Sequence, residues 1–268
     1  MPGSTRCSLI VATYNWKEAL ALVLATVRAQ SVLPGEVIIA DDGSRSDTAE
    51  LLEREAATFP VPLRHLWQED RGFRKGRILN EAMARSRGDY LIAIDGDMLV
   101  HPEFVHSHLR FSRRGCYIQG SRMMLGEAAT ARTLAAGRLV SGAFSPNVRN
   151  RINGIHAPFL SRFWRGEPGP ILRTRGCNIS YWRDDVVRVN GYNEDMEGWG
   201  REDTELVARL MNSGVWRRNL KFAAVAYHLH HCSRPTDADT VNYDVVLQVV
   251  RDHVTRCEHG LDRHLAGT

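Results

Sequence analysis

The sequence predicts an α/β fold in which a parallel β-sheet is covered by helices. Through the first hundred residues, short aliphatic runs alternate with segments whose apolar residues recur at helical spacing. The resulting order, in which a strand and a helix alternate until a fourth strand, is typical of parallel sheets with helices on their faces. Three of the strands also end in polar clusters, and ligands of such sheets bind beyond the carboxyl ends of the strands.

The elements of this first half follow from their residue patterns. A Pro34-Gly35 pair separates the first helix from the second strand, and Ser46 or Asp47 is suited to cap the second helix. In order, the predicted elements are strand 8–12, a helix with a Leu20, Val23, Leu24 and Val27 stripe, strand 36–40, a helix carrying Leu51 and Leu52, strand 63–67, a helix carrying Ile78, Leu79, Ala82 and Met83, and strand 90–94.

The second half of the chain is less regular. Residues 121–172 are rich in Gly, Pro and Arg, have no sustained periodicity and are expected to form long loops with short helices. Beyond them we predict strand 178–182, a helix over 201–212 and strand 221–227. A tail helix follows with Tyr243, Val246, Leu247, Val250 and Val254 on the face that docks on the body.

Composition and charge limit the classes to which the protein can belong. With 43% hydrophobic and 25% charged residues, the chain reads as an ordinary soluble globular protein. We expect a cytoplasmic protein, because the N-terminus has no leader pattern, the apolar stretch 19–27 is too short to span a bilayer, and the five cysteines form no spaced pairs.

The net charge of +4 is unevenly distributed. Residues 120–175 contain nine arginines, no lysine and two acids, a local balance of +7 that leaves about −3 for the rest. Arginine favours bidentate contacts with phosphate or carboxylate, so this segment either meets an anionic partner or is a solvated loop region.

The stretch Asp95-Gly96-Asp97 is the first candidate for chemistry. Two carboxylates directly after a buried strand repel each other, and carboxylate oxygens suit hard divalent cations such as Mg²⁺ or Mn²⁺. Gly96 lets the backbone approach closely. The alternative is a polar turn that simply ends the strand.

A second candidate is Glu197-Gly-Trp-Gly-Arg-Glu-Asp203. Two glycines around Trp199 fit a tight turn that exposes the aromatic ring, and Glu202 and Asp203 stand at the start of a predicted helix. A helix N-terminus stabilises ionised carboxylates, and one that faces a pocket is a plausible general base for a hydroxyl. Otherwise, both acids only serve the helix and Trp199 belongs to the core.

Two further stretches carry candidate ligands. In Tyr227-His-Leu-His-His231, strand alternation would bring His228 and His230 to one face, as a metal site requires. In Gln68–Asn80, Phe73 is suited to stack on a base, while Arg74, Lys75 and Arg77 could meet a diphosphate near a helix N-terminus. The alternative for the latter is a basic, solvated helix start.

Together, these motifs resemble a known family. Thr13-Tyr-Asn15, Asp41-Asp-Gly-Ser44 and Asp95-Gly-Asp97 resemble the family 2 glycosyltransferases of GT-A fold. The stretches 176–178, 191–192 and 198–203 are similar to the C-terminal module of the β-1,4-galactosyltransferases, and bacterial chondroitin polymerase shares a stretch like 68–74. The resemblance covers residues 8 to about 231 except 121–172, and implies a Rossmann-like mixed sheet, mostly parallel, flanked by helices.

The resemblance also implies an organisation and a reaction. Residues 1–268 would be one catalytic domain, with a nucleotide-binding half over about 1–120, an Arg-rich loop segment over 121–172 and an acceptor-binding and catalytic half over 173–268. The reaction would be inverting, metal-dependent transfer of a hexose or N-acetylhexosamine from a uridine diphosphate (UDP) sugar to an acceptor hydroxyl.

Roles carry over position by position. Asp97 would bind Mn²⁺ or Mg²⁺ with His228, for which His230 is the rival; Asp203 would be the base and Glu202 would bind a sugar hydroxyl. The candidate nucleotide-sugar residues are Ala12, Tyr14, Asp42, Phe73, Lys75, Arg77, Asp95 and Trp199. Arg201 stands where the animal enzymes have glycine, so their sugar specificity does not carry over.

The interpretation that follows is an enzyme of bacterial surface polysaccharide biosynthesis, for lipopolysaccharide or capsule. Its acceptor would be a saccharide or lipid-linked glycan, and the Arg-rich segment would give peripheral contact with the inner membrane. Two alternatives are a sugar-phosphate nucleotidyltransferase, which leaves residues 198–203 unexplained, and a noncatalytic nucleic-acid-binding protein. Acidic strand ends that repel phosphate disfavour the latter, so we expect no nucleic-acid partner.

Overall fold

The computed structural model, which describes residues 6–163, 171, 174–231 and 239–265, contains a large and a small β-sheet flanked by helices. Parts of the Arg-rich segment, residues 164–170 and 172, lie outside the described residues. The first half has the elements β1 (Cys7–Thr13), α1 (Lys17–Arg28), β2 (Glu36–Asp41), α2 (Ser46–Ala56), β3 (Leu63–Trp67), α3 (Lys75–Ala84) and β4 (Tyr90–Asp95). All four predicted strands are therefore confirmed, and three of them extend by one or two residues.

The rest of the chain adds shorter elements. They are β5 (Met98–Val100), α4 (Phe104–Phe111), β6 (Cys116–Gly120), β7 (Arg122–Leu125), α5 (Glu127–Ala136), β8 (Val148–Arg149), two 3₁₀ turns (Arg151–Gly154 and Leu160–Arg162), β9 (Asn178–Trp182), α6 (Arg183–Arg188), α7 (Glu202–Asn212), β10 (Trp216–Leu220), β11 (Ala226–His228), α8 (Asp239–Arg251) and α9 (Asp262–Leu265).

The large sheet is mixed and mostly parallel, as the resemblance implies. Its seven strands run in the order β10-β6-β9-β4-β1-β2-β3, and β9 is antiparallel to both neighbours. Every residue of β1 and β2 is buried, because helices cover both faces of the sheet. One core packs against α1, α2, α4 and α5, and the other packs against α3, α6 and α7.

The small sheet corrects one prediction. The expected strand 221–227 is wrong: β10 ends at Leu220 and β11 begins only at Ala226. Between them Phe222 and Ala224 have φ angles of 63° and 48°, so the chain turns out of the large sheet and enters the small one, whose order is β5-β11-β7-β8. The segment expected to form long loops with short helices does contain α5 and two 3₁₀ turns, but it also contains β7 and β8, which the sequence did not reveal.

The tail helix docks, although by a different face from the predicted one. Asn242, Val246 and Val249 are buried, whereas Leu247 and Val250 are exposed. The amide of Asn242 donates to the carbonyl oxygens of Glu197 and Gly200 at 3.3 and 2.8 Å. The helix therefore holds the turn that carries Trp199.

Within the described residues, no helix is both long and apolar enough to cross a bilayer.

Candidate active site

The carboxyl ends of β1, β2 and β4 open into one cavity of about 510 Å³. Ala12 pairs in register with Ala40 of β2 and with Asp95 of β4, so these strands end at the same level. The predicted convergence of polar strand ends is confirmed. A cavity of this size is in the range for small-molecule ligands. The sequence-predicted residues that line it are Ala12, Tyr14, Asp42, Phe73, Lys75, Asp95, Asp97, Trp199, His228 and His230.

Tyr14, Asp42 and Phe73 line the cavity from the ends of β1 and β2 and from the loop after β3. The Tyr14 hydroxyl donates to Asp70 at 2.8 Å, and the carboxylate of Asp42 accepts from the Gln68 side chain at 2.5 Å and from the Arg74 amide at 3.0 Å. These bonds fix the loop after β3 against the ends of β1 and β2. The result is a slot with an aromatic ring and fixed acceptors, which is suited to a planar base.

Gly96 brings the end of β4 against β1. Its amide donates to the Ala12 carbonyl at 2.6 Å, and an added Cβ would meet that oxygen and the Thr13 side chain at 3.0 Å. A larger residue would push the two strand ends apart. The glycine therefore sets how Asp95 and Asp97 enter the cavity on either side of it.

Asp95 forms an ion pair with Lys75. Lys75 Nζ lies 2.8 Å from Asp95 Oδ1, and 4.0 Å from a carboxylate oxygen of Glu202 and of Asp203. Burial opposes the charged form of Lys75, but Asp203, Asp95 and Glu202 outweigh it and hold its pKa well above the usual value. Burial likewise opposes ionisation of Asp95, yet Lys75 outweighs it and the pKa of Asp95 is lowered.

Asp97 faces two histidines. Its Oδ2 lies 3.6 Å from His228 Nε2 and 3.3 Å from His231 Nε2, and one ligand atom from each residue lies within 4.8 Å of the others. Burial, and then repulsion from Asp95, raise the pKa of Asp97 to about 7. Burial, and then the charge of Arg122, lower the pKa of His228 to about 4. The imidazole is thus neutral at physiological pH, as a metal ligand must be.

The cluster of Asp97, His228 and His231 fits a divalent transition-metal ion. Asp97 Oδ1 and His228 Nδ1 are buried without a hydrogen-bond partner among the described residues, a state that costs free energy unless another group engages them. Imidazoles are ligands of divalent transition metals, whereas Mg²⁺ prefers oxygen ligands.

His230, the rival ligand in the sequence analysis, is not a member of this cluster. The strand alternation that would bring His230 to the same face as His228 does not extend to His230, because β11 ends at His228. Beyond that residue the Leu229 amide donates to the Asp97 carbonyl and the His230 amide donates to the Thr130 hydroxyl, so the chain leaves the strand geometry. The turn brings His231, three residues after His228, to Asp97 instead.

Glu202 and Asp203 stand at the start of α7, as the sequence predicts, but do not line the cavity. Asp203 accepts hydrogen bonds from the Tyr192 hydroxyl at 3.0 Å and from the Gly176 amide at 3.1 Å. Burial, and then the charge of Asp203, raise the pKa of Glu202 to about 7. Lys75 connects these carboxylates to the cavity, because it lines the cavity and lies 4.0 Å from both.

Of two other predicted site residues, Trp199 lines the cavity and Arg77 does not. Trp199 lines the cavity at 39% exposure, between Gly198 and Gly200, which have φ angles of 77° and 115°. Arg77 does not line the cavity; its guanidinium donates to Gln68 at 2.7 Å, and Gln68 in turn donates to Asp42. Arg77 thus supports Asp42 indirectly, through Gln68.

Several residues of the cavity were not predicted from the sequence. Besides His231 they are Trp16, Arg122, Met124 and Arg149. The two arginines belong to the segment that the sequence marks only by its charge, and its short strands carry no periodic signal. The sequence gives no signal for His231, because strand alternation would place it on the opposite face from His228 and only the turn after β11 brings it to Asp97.

Comparison with known proteins gives two family matches. The model described as glycosyl transferase family 2 matches residues 8–163, and the model described as the N-terminal domain of galactosyltransferase matches residues 165–232. A chondroitin synthase of Escherichia coli is 23% identical over 92% of this chain. The chain spans only 38% of that relative's length.

Two solved structures are similar in fold. One is GalNAc-T7 with UDP, GalNAc and Mn²⁺, at a TM-score of 0.66 and 12% identity, covering 93% of this chain and 48% of that one. The other is S. aureus TarS 1–349 in complex with UDP-GlcNAc, at a TM-score of 0.64 and 16% identity, covering 97% of this chain and 70% of that one.

Proposed function

The chain belongs to glycosyl transferase family 2 and has the GT-A fold, and from this premise we propose that it is an inverting, Mn²⁺-dependent enzyme that moves a hexose or N-acetylhexosamine from a UDP-sugar to an acceptor hydroxyl. The observation that carries the proposal is a single cavity with a base-binding slot at Tyr14, Asp42 and Phe73 and a metal-ligand cluster at Asp97, His228 and His231. A nucleoside diphosphate has both a planar base and an anionic group that a divalent cation neutralises.

Each residue has a role in this proposal. Ala12 and Tyr14 line the base slot, Asp95 contacts the ribose, and Asp97, His228 and His231 would hold a divalent cation, which would stabilise the departing diphosphate. Trp199 packs against the transferred sugar, and the raised pKa of Glu202, caused by burial and by Asp203, suits a carboxyl that hydrogen-bonds a sugar hydroxyl.

The transfer step uses Asp203 as the base. The acceptor oxygen attacks the anomeric carbon on the face opposite the diphosphate, a bond forms between them, and the bond from that carbon to the diphosphate oxygen breaks with its electron pair. Asp203 accepts the hydroxyl proton. Its position 4.0 Å from Lys75, which lines the cavity, supports this role.

The acceptor proposed here is a saccharide or lipid-linked glycan of a bacterial surface polysaccharide, handled at the inner face of the cytoplasmic membrane. Arg151 is exposed and donates to the carbonyl oxygens of Ala143 and Ser145, on either side of Phe144, and Phe144 and Phe159 are 92% and 65% exposed. Exposed aromatic rings beside cationic side chains suit peripheral contact with anionic lipid. Normal transfer and membrane recovery by arginine-to-glutamine variants across 121–172 would contradict this part.

The test is calorimetry with a panel of nucleotide sugars, with and without Mn²⁺, on the wild type and on Asp97→Ala. Metal-dependent binding of one UDP-sugar, lost in the variant, is the expected result. Failure of the wild type to bind any nucleotide sugar in either condition would overturn the proposed function.

A further inference from the structure

The cavity contains cations whose roles the proposed function leaves open. Lys75 is engaged by Asp95, Glu202 and Asp203, and so cannot serve as an uncommitted phosphate ligand. Arg74 donates to the Glu69 carbonyl, and neither Arg74 nor Arg77 lines the cavity. Residues 74–77 were expected to offer cations to a diphosphate. In the structure Lys75 is instead paired with carboxylates, and the two arginines lie outside the cavity lining.

Arg122 and Arg149 line the cavity instead. In the small sheet, His228 of β11 pairs with Met124 of β7, and Met124 pairs with Arg149 of β8. Paired residues project from the same face of a sheet. The Cα atoms of Arg149 and His228 are thus about 10 Å apart, at two strand spacings, which an extended arginine side chain spans to a ligand at the metal-ligand cluster.

Arg122 stands on the same face, two residues before Met124. Its Nη1 lies 2.9 Å from Cys177 Sγ, and sulfur is only a weak acceptor. The charge of Arg122 is close enough to Asp95 and His228 to lower the pKa of both. Burial has a larger effect on each pKa, and Lys75 also has a larger effect on that of Asp95. Arg149 is exposed, and none of the described residues accepts a hydrogen bond from its guanidinium.

This geometry matches the needs of a diphosphate. A nucleoside diphosphate carries more negative charge than one divalent cation bound to Asp97 neutralises, and the guanidinium fork is suited to phosphate oxygens. We infer that Arg122 and Arg149 form an anion subsite that binds the diphosphate of the nucleotide sugar beside the metal-ligand cluster. The inference rests on the proposed function and assigns two of the nine arginines of residues 120–175 to donor binding.

The test is titration of the full chain with UDP at saturating Mn²⁺, on the wild type, Arg122→Gln, Arg149→Gln and the matched control Arg138→Gln. Arg138 is exposed in the same segment and does not line the cavity. Loss of one charge-assisted contact should weaken UDP binding about 10- to 100-fold in each cavity variant, while the control stays within about twofold of the wild type.

A second titration, with Mn²⁺ alone, separates ligand binding from damage to the metal site. Removal of a nearby cation should leave Mn²⁺ affinity unchanged or raise it. Three results would each overturn the inference: a parallel loss of Mn²⁺ affinity, UDP affinities within twofold of the wild type in both cavity variants, or an equal loss of UDP affinity in Arg138→Gln. In each case UDP binding by the wild type would leave the proposed function intact. A wild type that binds no UDP would instead overturn the proposed function, and the inference with it.

Discussion

Lys75 Nζ lies 2.8 Å from Oδ1 of Asp95, and both side chains are mostly buried. Lys75 begins α3 and Asp95 ends β4, while Glu202 and Asp203 at the start of α7 lie 4.0 Å from the same ammonium. One lysine thus joins the predicted nucleotide-binding half to the predicted catalytic half. It also offsets the mutual repulsion of carboxylates that burial would otherwise make costly.

Removal of this ammonium should destabilise the protein. We expect Lys75→Met to lower the free energy of unfolding by about 3 kcal/mol, because it leaves buried carboxylates uncompensated. Urea unfolding measures the effect, and Lys17→Met, in an exposed ion pair with Asp47, is the control that should change little. The double variant Lys75→Met/Asp95→Asn should lose less than the sum of the single variants; strict additivity would show that the pair is not coupled.

The proposal that His231, and not His230, is the third metal ligand can be tested by substituting each of these adjacent histidines. His231→Ala should weaken Mn²⁺ binding at least about tenfold, because it removes an imidazole from the cluster. His230→Ala, a matched change in a residue that also lines the cavity, should have little effect. Titration with Mn²⁺ in the absence of nucleotide gives the comparison, and a larger loss in His230→Ala would restore the rival ligand.

Binding of Mn²⁺ should also depend on pH through Asp97. Burial and repulsion from Asp95 raise the pKa of Asp97 to about 7, so below that pH the metal must displace a proton from the carboxyl group. We expect the affinity to fall about fivefold from pH 7 to pH 6, and to approach a tenfold loss per pH unit below that. Asp97→Asn should bind weakly at every pH and lose this slope; an unchanged slope in the variant would assign the proton to another group.

The fold was predictable where single segments carry enough pattern. β1, β2 and β4 are aliphatic runs that end in polar residues, and their order alone indicates that the ends converge. β5, β8 and β11 have three, two and three residues, which is too short for a period to show. The small sheet was therefore invisible in the sequence, and so was the cavity wall that it forms.

The same reason explains which site residues were missed. Asp97 was predictable because it follows a strand that the sequence defines. His231 was not, because the turn after β11 depends on tertiary bonds from Asp97 to Leu229 and from Thr130 to His230. Arg149 reaches the cavity only through its pairing with Met124, a contact between residues 25 positions apart that charge counting cannot reveal.

The proposed base predicts a split between rate and binding. Asp203→Asn should lower kcat about 10²- to 10⁴-fold, the usual contribution of one acid–base group, and leave donor affinity within a few fold. Tyr192→Phe removes only the hydroxyl that donates to Asp203 at 3.0 Å and should cost much less. Transfer kinetics beside donor titration measure both, and equal losses of kcat and donor affinity in Asp203→Asn would indicate a structural carboxylate.

A buried histidine outside the site should control stability in acid. His108 is fully buried, with one ring nitrogen 2.8 Å from the Ser180 hydroxyl and the other 3.0 Å from the Asn178 side-chain oxygen, and burial lowers its pKa to about 4. In the unfolded chain its pKa is about 6.5. Between these two pKa values His108 is protonated in the unfolded state and neutral in the folded state, so the free energy of unfolding rises with pH across this window.

The contribution of His108 is therefore complete above about pH 6.5 and is lost as the pH falls to about 4, a total of about 3 kcal/mol. His108→Gln should be less stable at pH 7 but should lose stability on acidification with a slope smaller by about one proton, or about 1.4 kcal/mol per pH unit. Urea midpoints at pH 7, 6, 5 and 4 measure this, with the exposed His106→Gln as the control. The same slope in His108→Gln as in the wild type would mean that His108 takes up its proton in the folded state.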